Sequence, residues 1–296
     1  MSGPWEAGAR RLDVFLNESR VGELATRDDI WAFRYDSGWM DRQRMPLCNS
    51  LPLAPHWQID TPTQRPAFWF FENLLPEEQA LQATARALGL RPEQHFELLA
   101  ALGAESAGAL TLLPPGSAPG AADIRILDDS TFQHRLRDLA GGSLTRDAPK
   151  RMSLAGAQHK LAVIYDSTHD CLYEPVGTQA STHILKPQHP HPYYSHSVAN
   201  EYFCMRLADA SGLPVPPVWI HRTGTQSVYL VERFDRRRGP DDVQRLYALD
   251  TCQLLGIPRR SKYDASTLEN LRLAIDQTTA PAATRQLVLR WIAFNV

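Results

Sequence analysis

Apolar and polar positions alternate along the first stretch of the chain. Val14 and Leu16 stand between polar neighbours, Asn17-Glu18-Ser19 supplies a turn, and Val21-Gly22-Glu23-Leu24 runs back. Trp31, Phe33 and Tyr35 alternate with Ala32 and Arg34, the period of two of a half-buried strand. The period then changes. Residues 76–88 read as a helix with Pro76 in its first turn, Glu77 and Glu78 at its positive end and Gly89 as its stop. A second helix is expected from about Pro92 to Leu102, before Gly103. Residues 113–122 (LPPGSAPGAA) have linker composition. Beyond them, apolar runs at 161–165, 182–186, 218–221 and 227–231 predict strands. Ser197 is placed to cap a helix from Val198 to Ala210 that ends at Gly212, with Val198, Tyr202, Met205 and Ala208 on its apolar face. After Asp235 the pattern turns helical, through 250–255, 267–277 and 284–296. The last of these has almost no polar face. That predicts a helix in a domain centre, and hence a domain that continues past Val296; a C-terminal helix docked in a groove with a frayed end is the other reading.

Composition narrows the class. The chain is 43% hydrophobic and 22% charged, ordinary for a folded protein, and its net charge of −2 gives no basic field for nucleic acid. Cys48, Cys171, Cys204 and Cys252 form no C-x-x-C pair, against structural zinc and a disulfide framework. No run approaches the roughly 18 consecutive apolar residues of a membrane span, and no apolar signal segment opens the chain. A cytoplasmic protein is the default expectation.

The chemistry gathers between Ser153 and Lys186. A small-residue loop, Ser153-Leu154-Ala155-Gly156-Ala157-Gln158-His159-Lys160, precedes one strand, and Thr182-His183-Ile184-Leu185-Lys186 forms another with a lysine at its end. Small side chains let backbone N–H groups approach phosphate oxygens, and a lysine adds a point charge. The loop is neither G-x-x-x-x-G-K-[ST] nor G-x-G-x-x-G, and alone it reads more readily as a turn. Alone, Lys186 reads as a surface charge. Their order matters more. A phosphate loop, a strand lysine and then a helix carrying a glutamate is the plan of a protein-kinase N-lobe, with Glu201 as the lysine's partner. A helix-start charge favoured by the dipole is the other reading of Glu201. Glu232, Arg233 and Phe234 end an apolar strand as an inter-lobe hinge would, with Phe234 free to pack on adenine; a strand end with a surface Arg–Asp pair is the alternative. His189, His191 and His196 lack nearby acid or thiol partners, which disfavours a metal site.

These pieces resemble the HipA family, the kinase toxins of bacterial toxin–antitoxin pairs. The likeness rests on SLAGAQHK at 153–160, THILK at 182–186, NEY at 200–202, VERFDR at 231–236, DTCQ at 250–253 and Lys262-Tyr263. In the first part it rests on the turn at 17–24, NSLPL at 49–53, FFENLLP at 70–76 and GALTL at 108–112. The resemblance implies a two-lobed, protein-kinase-like fold of the α+β class. It divides into an N-terminal module (1–113), a linker (114–124), a kinase-like N-lobe (125–236) and the start of a helical C-lobe (237–296). It implies ATP-dependent phosphorylation of protein serine or threonine, with an aminoacyl-tRNA synthetase as substrate and a HipB-like helix-turn-helix antitoxin as partner. DNA would be reached only through that antitoxin. Ala155, Gly156, Ala157, Gln158, His159 and Lys160 would line the phosphates, Lys186 would hold the α- and β-phosphates, and Glu232, Arg233 and Phe234 would bind adenine. Ser153 matches the self-phosphorylated serine. His159 departs from the family, where an acid is common.

The family's N-x-D-x-H-x-K-N catalytic loop and its metal-binding aspartate are not in this sequence. The catalytic base and the Mg²⁺ ligands are therefore expected beyond Val296, with no phosphotransfer from these residues alone. The alternative function is a truncated, non-catalytic module that binds antitoxin or nucleotide; a third is a purely regulatory component of a DNA complex. The codons after residue 296 distinguish the first two.

Overall fold

A computed structural model describes residues 8–42, 45–106, 108–137, 158–189, 191–224, 226–239 and 243–296. The first unit is a five-stranded antiparallel sheet backed by helices. Its strands are β1 (Arg10–Leu16), β2 (Ser19–Arg27), β3 (Ile30–Tyr35), β4 (Gln58–Ile59) and β5 (Leu110–Leu113), in the order β4-β3-β2-β1-β5. Asp28 and Asp29, with φ of 51° and 59°, form the two-residue turn joining β2 to β3. Two successive left-handed residues match the right-handed strand twist, and aspartate tolerates that conformation. β2 is buried on both faces rather than one. Leu24 points into the core, while Glu23 on the other face accepts hydrogen bonds from Arg34 (2.8 Å) and Arg11 (3.3 Å).

The helices of this unit are α1 (Ser37–Arg42), α2 (Pro66–Glu72), α3 (Glu78–Ala87) and α4 (His95–Leu102). Phe70 and Phe71 of α2 and Leu98, Leu99 and Leu102 of α4 close over Val14, Leu24 and Phe33. α2 has no cap from its neighbour Arg65. The Asp60 carboxylate instead accepts from the N–H groups of Ala67 and Phe68, both at 2.9 Å. α3 begins later than its sequence suggests. Pro76 precedes the N-cap Glu77, whose side chain is engaged elsewhere.

The second unit is a six-stranded antiparallel sheet. It comprises β6 (Asp123–Ile126), β7 (Leu161–Asp166), β8 (Cys171–Val176), β9 (His183–Pro187), β10 (Val218–Thr223) and β11 (Gln226–Glu232), in the order β10-β11-β9-β7-β8-β6. Helix α5 (Asp129–Arg137) supplies Phe132 and Leu136 to a core of its own with Leu161, Val163, Leu185 and Leu230. Helix α6 (Ser197–Ala210) buries Val198 and Ala208 and half-buries Glu201, Tyr202 and Met205, the stripe its spacing predicts. Its N-cap is His196, not Ser197. The Ser197 hydroxyl accepts from the His189 N–H (2.9 Å), which holds the preceding loop against the helix.

The chain does not turn helical directly after Asp235. A hairpin, β12 (Arg236–Arg238) with β13 (Val243–Arg245), comes first, because Arg236 and Arg245 face each other on it and both reach a buried carboxylate. Then follow α7 (Thr251–Leu255), α8 (Leu268–Asp276) and α9 (Pro281–Phe294). Asp250 and Gln253 form a reciprocal capping box on α7, and Gly256 ends it in the left-handed region. This helical part packs on the first unit. Tyr247 and Leu249 join its core, Gln253 donates to the Phe70 carbonyl (3.1 Å), and the Arg259 N–H donates to Glu72 (3.0 Å). The expectation of a central α9 concerns a domain longer than these 296 residues. None of its residues is buried among the described ones, and Trp291 is 54% exposed. Arg285 and Arg290 give it a polar edge, pairing with Asp276 and the Gly212 carbonyl. No helix among the described residues is long and apolar enough to cross a membrane.

Candidate functional site

Lys186 lies near the end of β9, opposite Tyr229 of β11, with its ammonium 5.7 Å from that ring's centre. The inner face of α6 turns Glu201 toward it, and the Lys186 Nζ to Glu201 Oε2 distance is 2.5 Å. Both side chains are about one-quarter exposed, so the pair borders a cleft rather than sitting sealed in a core.

Lys160 enters the same cleft from the start of β7. Its ammonium is lowered from 10.5 to about 8, chiefly by burial and then by the charge of Lys186, with Glu77 and Glu201 pulling the other way. His159 beside it is held below its ordinary value, first by burial and then by His189, so it is neutral at pH 7. Gln158, Asn200 and Glu201 line a cavity of about 780 Å³ together with His189, Tyr193 and His196. Ser153, Ala155, Gly156 and Ala157 lie outside the described residues.

The first unit also reaches this region. Glu77, buried at the start of α3, accepts from Lys262 Nζ (2.8 Å) and from the Tyr263 hydroxyl (3.2 Å). Burial would push the Glu77 carboxyl up, yet the hydrogen bond and charge of Lys262 hold it below its ordinary value; the charge of Lys160 acts in the same direction. Three ammonium groups, Lys160, Lys186 and Lys262, thus meet two carboxylates, Glu77 and Glu201. Sequence reasoning missed Glu77 as a site residue, because a glutamate at a helix start has a sufficient local explanation.

At the other end of the cleft, the Glu232 N–H donates to the Pro217 carbonyl (3.0 Å) and the Arg233 N–H to the Thr182 carbonyl (2.9 Å). The Phe234 ring is 78% exposed and can cover a planar ligand. The Glu232 carboxylate takes Arg238 (3.1 Å). Arg233 points the other way. Its guanidinium is buried and donates to Asp235 at 2.9 and 2.7 Å, to Ser181 Oγ at 3.0 Å and to the Ser106 carbonyl at 3.2 Å. The Arg–Asp pair is therefore interior, not a surface pair, and both the Arg233 side chain and its N–H are already engaged within the protein. His183 is a buried strand side chain whose Nδ1 lies 2.7 Å from Thr182 Oγ1, with burial lowering it to about 4.

Comparison with known proteins fits this arrangement. Residues 12–113 match the HipA N-terminal domain and residues 152–296 match the HipA-like C-terminal domain. The serine/threonine-protein kinase toxin HipA of Shewanella oneidensis is 30% identical over 305 residues, covering 96% of this chain and 67% of that protein. This chain belongs to the HipA family. The Sinorhizobium fredii protein Y4mE is 38% identical over 274 residues, covering 86% of this chain and 61% of that one. The solved complex of Shewanella oneidensis HipA with HipB and operator DNA superposes with a TM-score of 0.76 at 29% identity, over 96% of this chain and 68% of that HipA chain. The HipA-family chain described here thus spans 61% to 68% of the length of these relatives. Its α+β, kinase-like fold is that of the family.

Proposed function

We propose that this HipA-family chain carries the nucleotide grip of a toxin kinase, which moves the terminal phosphoryl group of ATP to a serine or threonine hydroxyl of a protein. The observation that carries the reading is the Lys186–Glu201 ion pair with Lys160 beside it, on the strand, helix and loop where a kinase N-lobe holds its triphosphate. The residues fit an anionic ligand. Lys160 is costly to keep charged beside Lys186, and phosphate oxygens would relieve that cost. Gln158, Lys160, Lys186 and the 155–157 segment would hold phosphates, with neutral His159 adding no charge. The Phe234 ring would hold adenine, with the 232–234 backbone groups other than the Glu232 and Arg233 N–H groups, which the Pro217 and Thr182 carbonyls take.

Transfer also needs a residue to orient the hydroxyl and ligands for Mg²⁺. The family sequence for both is not among the 296 residues. Among the described residues no group of three His, Cys, Asp or Glu could hold an ion. The substrate in this reading is an aminoacyl-tRNA synthetase, which rests on the resemblance alone. The partner is a small helix-turn-helix antitoxin, a reading supported by the HipB and operator DNA in the Shewanella oneidensis complex. Phosphate on Ser153 would add a charge of about −1.5 to −2, eject the loop from ATP and switch the protein off.

Titration of the chain with ATP by calorimetry tests the grip. Saturable binding that is weakened about ten- to hundredfold in Lys186→Ala is the expected result. Equal binding by both proteins would place the triphosphate elsewhere.

A further inference from the structure

We infer that Glu105, in the N-terminal unit, is a positioning residue for the adenine-binding hinge. This deepens the nucleotide reading above and rests on it. Glu105 follows α4 and is 1% exposed. Its Oε1 accepts from Ser181 Oγ and Arg236 Nη2, both at 2.9 Å, and lies 3.4 Å from Arg233 Nη1. Its Oε2 accepts from Arg245 Nη2 at 2.8 Å. Three guanidinium groups from the hinge and the hairpin after it therefore converge on one carboxylate from another unit.

The backbone just beyond Glu105 completes the mould. The Gly108 N–H donates to Asp235 Oδ2 (2.7 Å), its carbonyl accepts from Arg236 Nη1 (2.9 Å), and the Ser106 carbonyl accepts from Arg233. Burial would push the Asp235 carboxyl up, but Arg233 and Arg236 hold it below its ordinary value, so it stays ionised. The side chains of Arg233, Asp235 and Arg236 are thus all fixed from behind, while the Phe234 ring between them stays exposed.

A buried cluster of this kind adds little stability over apolar packing of the same volume. What it supplies is direction. Each guanidinium is oriented by several planar hydrogen bonds, which fixes the backbone that bears it. A hinge of mere strand-end geometry would need none of them. The curvature of 232–236 is therefore set by the N-terminal unit, and adenine affinity depends on how that unit docks.

The test uses Glu105→Gln in the full 296-residue chain. Hydrogen exchange read by mass spectrometry should speed up at least tenfold at amides 233–236 while those of β7 stay protected. ATP affinity should fall at least tenfold, while affinity for inorganic tripolyphosphate, which has no adenine, stays unchanged. Unaltered exchange at the hinge overturns the inference, and so does equal loss of ATP and tripolyphosphate. If Glu105→Gln does not fold, Ser181→Ala removes only the hydroxyl shared by Glu105 and Arg233. It should give a smaller loss of about threefold, for ATP only, and no change there also overturns the inference. Failure of the unaltered chain to bind either ligand would sink the nucleotide reading, while the exchange arm would still decide whether Glu105 positions the hinge.

Discussion

Raising the pH should loosen the grip on a triphosphate through one residue. Lys160 sits at about 8 rather than 10.5, a difference of about 3 kcal/mol against the charged form. A bound phosphate favours that form and pulls the value back up. Binding above pH 8 must therefore take up a proton. From pH 7 to pH 9 the protonated fraction of the free protein drops from about 0.9 to about 0.1, so the Kd should rise about tenfold. Lys160→Arg stays charged throughout and should show no such rise, which separates the effect from titration of the nucleotide itself. Calorimetry in two buffers of different ionisation enthalpy at pH 8.5 should also count about three-quarters of a proton taken up. A Kd that changes equally in both proteins, or no proton uptake, would refute the reasoning. The same group has a stability consequence of definite sign. Its folded value lies below its unfolded one, so its contribution to stability rises with pH between about 8 and 10.5. At pH 7 Lys160→Met should accordingly raise stability in urea by up to about 3 kcal/mol while weakening nucleotide binding.

Three further outcomes are expected. Lys186→Ala removes a charge-assisted contact worth about 1.5–3 kcal/mol, so the Kd for ATP should rise about ten- to hundredfold by calorimetry; an unchanged Kd contradicts the site. Tyr35→Phe strands the Leu51 carbonyl and the Leu47 N–H, which the buried hydroxyl meets at 2.6 and 2.7 Å, and should cost about 1–3 kcal/mol in urea denaturation. A variant as stable as the parent would show that solvent reaches those groups. Gly177→Ala sets a Cβ 1.9 Å from the Ala121 carbonyl oxygen at φ +57°, and should lower stability by more than about 1 kcal/mol. An unchanged melting temperature would mean that the turn re-forms without strain.

Local chemistry made much of this protein readable. The strands around Phe33 and Leu24 carry the alternation that a sheet with one apolar core face requires, and α7 announces itself through Asp250 and Gln253. The Lys186–Glu201 pair was legible because a strand and the next helix present both residues to one cleft. Features closed by distant partners were not. Helix α2 is capped by Asp60, which no spacing rule near Pro66 points to. The β12–β13 hairpin is held by arginines paired with Glu105, whereas a charge run such as 236–238 ordinarily lies in water.

The N-terminal unit braces the frame of the proposed nucleotide cleft from both sides, through Glu105 behind the hinge and through Phe70, Glu72 and Glu77 against the helical part. It therefore acts as a cross-brace over the joint between the lobes. Widening the gap must slip one of these fastenings. Each is a set of oriented bonds that has to break together: Glu105 with its guanidinium groups on one side, and Gln253, Arg259 and Lys262 with Phe70, Glu72 and Glu77 on the other. The helical part and residues 233–236 should consequently move together with the N-terminal unit, which reverses the usual picture of two lobes pivoting on a pliant strand.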